Sequence, residues 1–281
     1  MNPKLLENVN GPSLILVPEW LPKPLGKYYL YFAHHGGKSI RLAYADQLKG
    51  PWKIHAPGTL QLEQTPYHGH IASPDVHIDQ KRQQIRMYYH GPIKSDSEFG
   101  KQRTSMATSR DGLVFDNSSE EDLGPFYFRM FEHQEYHYAI AKDPSKPGGG
   151  VLLRSKDGFT PFEKGPEILP RMRHAAILRR SRYIDIFYSR GEDAPERILI
   201  SRMALDGDWQ SWSPGPPSDV LKPEFDYEGA NLPLAPSRFG ASFEPVHQLR
   251  DPDIFEDRGR IYLTYSCAGE TSIAMAELRI R

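Results

Sequence analysis

The apolar positions of this chain come in short runs separated by polar turn formers. Tyr28-Tyr29-Leu30-Tyr31-Phe32, Ile85-Arg86-Met87-Tyr88-Tyr89, Tyr183-Ile184-Asp185-Ile186-Phe187-Tyr188 and Ile261-Tyr262-Leu263-Thr264-Tyr265 are rich in aromatic and β-branched residues. Runs of this length and composition predict strands buried on both faces. No stretch carries a helical apolar period for more than about two turns.

The runs recur in a fixed order. Ser73-Pro74-Asp75-Val76-His77-Ile78 leads through a turn into Ile85 to Tyr89, and Thr104 to Ser109 follows before Asp111-Gly112. Asp251-Pro252-Asp253-Ile254-Phe255 repeats the order with Ile261 to Tyr265 and Thr271 to Ala276. Further copies begin at Gly11-Pro12-Ser13 and His174-Ala175-Ala176; the weakest begins at Gly124-Pro125-Phe126-Tyr127-Phe128. Units of ~40–50 residues with several strands each mark propeller blades, and radial closure leaves only short edges. The expectation is an all-β, five-bladed β-propeller forming a single domain over 1–281. Its blades fall at about 11–60, 66–118, 124–165, 170–212 and 223–281, with a long loop from Ser213 to Gln248. A β-sandwich of the same hairpins is the alternative, but a sandwich does not require the Pro-headed strand to recur. Asp111-Gly112 and Asp157-Gly158 read as ordinary turns.

Composition agrees with many short strands: aromatics are 11%, with 25 Pro and 23 Gly. The net charge of −1 lacks the basic excess that steers nucleic acid. The single cysteine, Cys267, excludes an intramolecular disulfide and fits a reducing compartment, read here as cytoplasmic. The N-terminus shows no signal-like run, and no apolar stretch is long enough for a membrane helix.

The chain resembles the five-bladed propeller glycosidases, of which family 43 (arabinanases and xylosidases) is the best-known member. The resemblance rests on Ala72-Ser73-Pro74-Asp75-Val76 with Ile85 to Tyr89, on Arg250-Asp251-Pro252-Asp253-Ile254 with Ile261 to Tyr265, and on the third strand Ala107 to Gly112. It implies a carbohydrate-active enzyme with a small-molecule carbohydrate as partner and neither nucleic acid nor membrane. The family pattern implies an Asp heading the first blade, a second Asp in the third and a Glu in the fourth. Here those heads are Gly11, Gly124 and His174, and Asp251 leads the fifth blade instead.

In a propeller the start of each first strand and the end of each second strand share one face. That face collects Asn10, Ser13, Ser73, Asp75, Arg173, His174, Arg250, Asp251 and Asp253 with His34, His35, His90, Ser189, Arg190 and Ser266. Tyr67, His68, His70, Glu228 and Asn231 join from loops. Hydrolysis needs an acid and a base across the scissile bond. Asp251 is the candidate base and His174 the candidate acid, since imidazole titrates near neutrality. A histidine acid has a precedent in the family 117 anhydrogalactosidases, which the chain resembles only at blade level. Asp75 is the candidate tuner of its partner's pKa, and Glu228 the best carboxylate outside the blades. His34, His90, Arg173, Arg190 and Asp253 are the candidate substrate-binding residues.

The same face allows β-elimination on a uronic acid. Arg173, Arg190 or Arg250 would neutralise the carboxylate, and His34, His90 or His174 would take the α-proton. Non-catalytic sugar binding is a third reading. Asp75 and Asp253 also have bland readings, as a blade-to-blade hydrogen bond and a turn cap. No cofactor is expected; a metal would draw on His34, His35, His68, His70 and His90.

Overall fold

A computed structural model describes residues 8–93, 102–117, 122–142 and 148–279. They form five antiparallel sheets arranged around an axis as a five-bladed β-propeller. Blade one holds β1 (Asn10–Leu16), β2 (Tyr28–Ala33), β3 (Ser39–Ala45) and β4 (Lys53–Gln61). Blade two holds β5 (Ala72–Asp79), β6 (Gln84–Pro92), β7 (Gln102–Ser109) and β8 (Asp116–Asn117), with β9 (Gly124–Pro125) paired to β7. Blade three holds β10 (Arg129–His133), β11 (Tyr136–Lys142), β12 (Gly150–Ser155) and β13 (Glu163–Ile168). Blade four holds β14 (Met172–Arg179), β15 (Tyr183–Arg190), β16 (Ile198–Ala204) and β17 (Ser218–Leu221). Blade five holds β18 (Arg250–Asp257), β19 (Arg260–Cys267) and β20 (Ser272–Leu278). No helix among the described residues is long and apolar enough to cross a membrane.

The aromatic second strands pack between neighbouring blades. Tyr29, Tyr31, Met87, Tyr89 and Phe115 form one such layer between blades one and two. Tyr138, Tyr188, Trp209 and Trp212 form another between blades three and four. Burying each such side chain stabilises the fold by about 2 kcal/mol. The Ser-x-Asp-Gly turns behave as expected. Asp111 accepts the amides of Leu113 and Val114, Asp157 accepts those of Phe159 and Thr160, and Gly112 and Gly158 take the left-handed backbone.

Blade three departs from the sequence reading. The segment expected to be its inner strand starts with β9, which belongs to blade two. Pro125 has no amide hydrogen for an interior ladder, and Tyr127 has φ 67°, which interrupts an extended strand. The inner strand therefore begins at Arg129. The fourth strands were also unforeseen. Strand β13 is mostly exposed or half-exposed, and β8 is a two-residue strand, so neither leaves an apolar signature.

The five inner strands, β1, β5, β10, β14 and β18, place side chains at matching heights along the axis. Ser13, Asp75, Arg129, Ala176 and Asp253 pair with Tyr31, Tyr88, Ile140, Phe187 and Thr264 of the second strands. This set is the lower level. Two residues earlier on each segment lie Gly11, Ser73, Tyr127, His174 and Asp251, the upper level. A bulge separates the levels in blades one, two and five, and a similar register shift precedes His174. Gly11, Ser73, Tyr127 and Asp251 all have left-handed backbone, with φ of 55°, 48°, 67° and 49°. Such strain in non-glycine residues is costly and collects at functional sites.

Candidate active site at the channel mouth

The upper level lies where the inner strands begin and the second strands end. Nε2 of His174 lies 3.2 Å from Oδ1 of Asp251, and both side chains are almost fully buried. The other polar atom of each, His174 Nδ1 and Asp251 Oδ2, has no hydrogen-bond partner among the described residues. Buried polar atoms are normally paired, so two such atoms on one contact mark a place built to meet something else. The ring of Tyr127 lies 5.1 Å from that of His174, and Lys142 Nζ lies 5.1 Å above the Tyr127 ring.

Charges around the pair are organised by two buried glutamates. Glu196 accepts from Arg173 at 3.0 Å and from Ser189 at 2.7 Å, and lies 3.2 Å from Arg250. Glu270 accepts from Asn8 at 2.9 Å, Asn10 at 3.0 Å and Arg250 at 3.1 Å, and contacts His35 at 2.5 Å. The hydrogen bond and charge of His35 overcome burial and hold Glu270 down at about 2. Burial and the nearby Glu270 push Asp251 up to about 6. Burial, with Arg173 beside it, brings Lys142 down to about 7. Burial and the cations Lys142, Arg173 and Arg250 push His174 well below the ordinary imidazole range, so its ring is neutral at pH 7.

The structure brings together His174, Asp251, Arg173 and His90. His90 packs on Phe126 and Tyr127, and burial drives its pKa well below normal. Asp75 and Asp253 lie lower, lining the opposite half of the channel with Arg129 in a cavity of about 460 Å³. Asp75 accepts the Met130 amide at 2.7 Å and contacts His77 at 2.9 Å. Asp253 accepts the Leu14 amide at 2.9 Å. Glu228 stands apart from the pair. Its oxygens accept the amides of Glu224 and Phe225 and the Tyr265 hydroxyl, so it braces the long loop. Arg190 is held by Asp193 in an ion-pair network with Arg171 and Arg197. His34 sits half-buried in the turn after β2, where its carbonyl accepts the Gly37 amide.

No group of three or more His, Cys, Asp or Glu side chains among the described residues is arranged to hold a metal ion. Of the five histidines considered for that role, His35 is engaged by Glu270 and Asn10.

Sequence reasoning missed Lys142, Tyr127, Glu196 and Glu270. Lys142 ends β11, so the same-face rule reaches it once the strand is extended past Ile140. Tyr127 becomes visible only when β10 is placed at Arg129. Glu270 follows β19 by three residues, within the reach of the same rule. Glu196 follows Pro195 in a loop and carries no pattern.

No protein-family model matches the chain. The chain is 37% identical to the uncharacterized protein R118 of Acanthamoeba polyphaga mimivirus, over 96% of this chain and 83% of that one. Among solved structures, a thermostable family-43 glycoside hydrolase superposes with a TM-score of 0.67 at 12% identity, covering 98% of this chain and 90% of that one. An exo-1,5-α-L-arabinanase from a bovine ruminal metagenomic library gives 0.63 at 13% identity, covering 98% and 94%. The Cellvibrio cellulosa α-L-arabinanase gives 0.60 at 14% identity, covering 95% and 91%. Likeness at this level of identity speaks for the fold. The chain therefore belongs to the family of the mimivirus protein R118, and its fold is the five-bladed propeller of the family 43 glycoside hydrolases.

Proposed function

We propose that this chain is a glycoside hydrolase whose proton-handling centre is the Asp251–His174 pair. The observation that carries the proposal is the 3.2 Å contact between these buried groups, with one polar atom of each left unpartnered. The shared fold with arabinanases and xylosidases supports hydrolysis as the reaction class. Related structures hold arabinohexaose and xylotriose, which makes short pentose oligosaccharides the first substrates to try.

The proton affinities favour roles different from those the sequence suggested. A neutral His174 accepts a proton rather than giving one. Asp251, ionised above about 6, faces Nε2 and leaves the buried, unpartnered Nδ1 as the basic atom. Lys142, near 7, keeps its proton on about half of the molecules at neutrality and can deliver it to the leaving oxygen. Water then loses one proton to His174, and the departing sugar gains one from Lys142. An acid tuned near the working pH, as Lys142 is, suits protonation of a leaving oxygen.

Elimination is the second reading, favoured by the cations Arg173, Arg250 and Lys142 around the same base. One assay separates the two. Arabino- and xylo-oligosaccharides and a uronic-acid polymer are incubated with the protein, and reducing ends and near-ultraviolet absorbance are followed together. Hydrolysis raises reducing ends alone; elimination raises both. An Asp251→Asn protein that turns over as fast as wild type sinks both readings.

A further inference from the structure

Segment 237–242 crosses the channel mouth from blade four to blade one. Ser237 donates its amide to the Asp193 carbonyl at 3.0 Å, and the Ser242 carbonyl accepts from the Asn8 side chain at 3.1 Å. Between these anchors, Arg173 donates to the carbonyls of Arg238 and Gly240. Arg173 also holds Glu196 and immediately precedes His174. The backbone around Phe239 is thus fixed relative to the candidate centre.

The Phe239 side chain has a seat of its own. Gly148 and Gly191 lie against its ring, and a methyl group on either would overlap it. The Arg173 guanidinium lies 5.8 Å from the ring centroid. Despite this seat the residue remains 39% exposed. It belongs to a loop, the rim loop, rich in exposed apolar side chains. Of the eight large hydrophobic side chains exposed among the described residues, five lie on this loop: Phe225, Tyr227, Leu234, Phe239 and Phe243. A fixed aromatic ring with an open side, tied through Arg173 to the His174–Asp251 pair, suits the C–H face of a sugar.

We propose that Phe239 is a specificity residue, the stacking platform for a sugar unit next to the one that reaches Asp251 and His174. The inference rests on the carbohydrate reading of the mouth and extends it: the ligand is an oligosaccharide chain that continues over the rim, rather than a single sugar.

The test is calorimetry in the Asp251→Asn protein, with arabinohexaose and xylotriose as probes. Phe239→Ala should weaken binding of the longer probe about tenfold. Phe239→Leu keeps an apolar group in the glycine seat but removes the aromatic face, and should bind as poorly as the alanine variant. If Phe239→Leu binds like its parent, the ring merely latches the loop and the proposal is overturned. It is equally overturned if wild type dimerises and Phe239→Ala abolishes the dimer, which would make the rim a subunit contact. If the Asp251→Asn parent binds neither probe, the carbohydrate reading of the mouth fails first, and this inference with it. Thermal unfolding of each variant confirms that the blades remain intact.

Discussion

One proline separates Asp251 from Asp253 on β18, and one separates Ser73 from Asp75 on β5, yet the two levels behave differently. On the lower level each polar side chain grips the next blade. Ser13 accepts the Val76 amide at 3.0 Å, Asp75 the Met130 amide at 2.7 Å and Asp253 the Leu14 amide at 2.9 Å. Arg129 donates to the Ala175 carbonyl at 3.0 Å. These bonds tie blade one to two, two to three, three to four, and five back to one. On the upper level the backbone is left-handed at four of the five positions, and His174 and Asp251 each keep one buried polar atom unpartnered. One strand therefore carries a ring-closing staple and, two positions earlier, a member of the candidate proton-handling pair. Sequence type alone does not separate them, since both levels contain an Asp beside the same proline.

The sharpest way to break this contrast is to neutralise one carboxylate on each level. Asp251→Asn should lower turnover by about 10³-fold, because it removes the charge that orients the His174 base. Its unfolding midpoint should stay close to wild type, since among the described residues Asp251 accepts no backbone amide of a neighbouring blade and an asparagine oxygen can still face His174 Nε2. Kinetics and thermal unfolding on the same preparation check both halves. Asp75→Ala should do the reverse. It strands the buried Met130 amide and removes a negative charge facing Arg129, at a cost of about 3 kcal/mol. For a chain of this size that is a fall of roughly 6–10 °C in midpoint. Activity per folded molecule at low temperature should remain. An Asp75→Ala protein that is stable but inactive would put Asp75 back in the catalytic set and erase the distinction.

Lys142 gives the next largest effect. If it supplies the proton, turnover should follow a bell, rising through about 6 as Asp251 ionises and falling above about 7 as Lys142 loses its proton. Lys142→Gln should lower turnover about 10²-fold and remove the falling limb. A variant that keeps the alkaline fall places the acid elsewhere.

How much of this was written in the chain follows from the kind of pattern each feature leaves. The Pro-headed inner strands and aromatic second strands repeat at blade spacing, so five blades and the pairing of His174 with Asp251 across neighbouring blades were legible. The heights of Asp75 and Asp251 were not. A bulge inserts one residue between the levels, and alternation along a strand does not report a bulge. Glu228 looked available because a carboxylate beside Gly229 resembles a loop-borne acid, yet its partners, Tyr265 and two neighbouring amides, include one 37 residues away. Glu196 was silent for the complementary reason. It acts by joining Arg173 to Arg250, a link between blades four and five that no local motif encodes.

The smallest expected effect tests the lower level on its own terms. Asp253 is buried, and burial pushes its carboxyl up to about 7, with Arg129 pulling the other way. The folded state therefore holds a proton that the unfolded chain, with an ordinary carboxyl near 3.8, has released. Between those two values the native protein binds more protons than the unfolded one, so this group's contribution falls as pH rises from about 4 to about 7. Asparagine carries no charge at any of these pH values, and its carbonyl oxygen can still accept the Leu14 amide. Asp253→Asn should match wild type at pH 4 and unfold about 3 °C higher at pH 8. Calorimetric midpoints at the two pH values decide it. If the variant is instead less stable at pH 8, Asp253 is ionised and serves as the partner of Arg129. The lower level would then hold together by a buried ion pair as well as by staples, and Arg129→Leu should cost less in the Asp253→Asn background than in wild type.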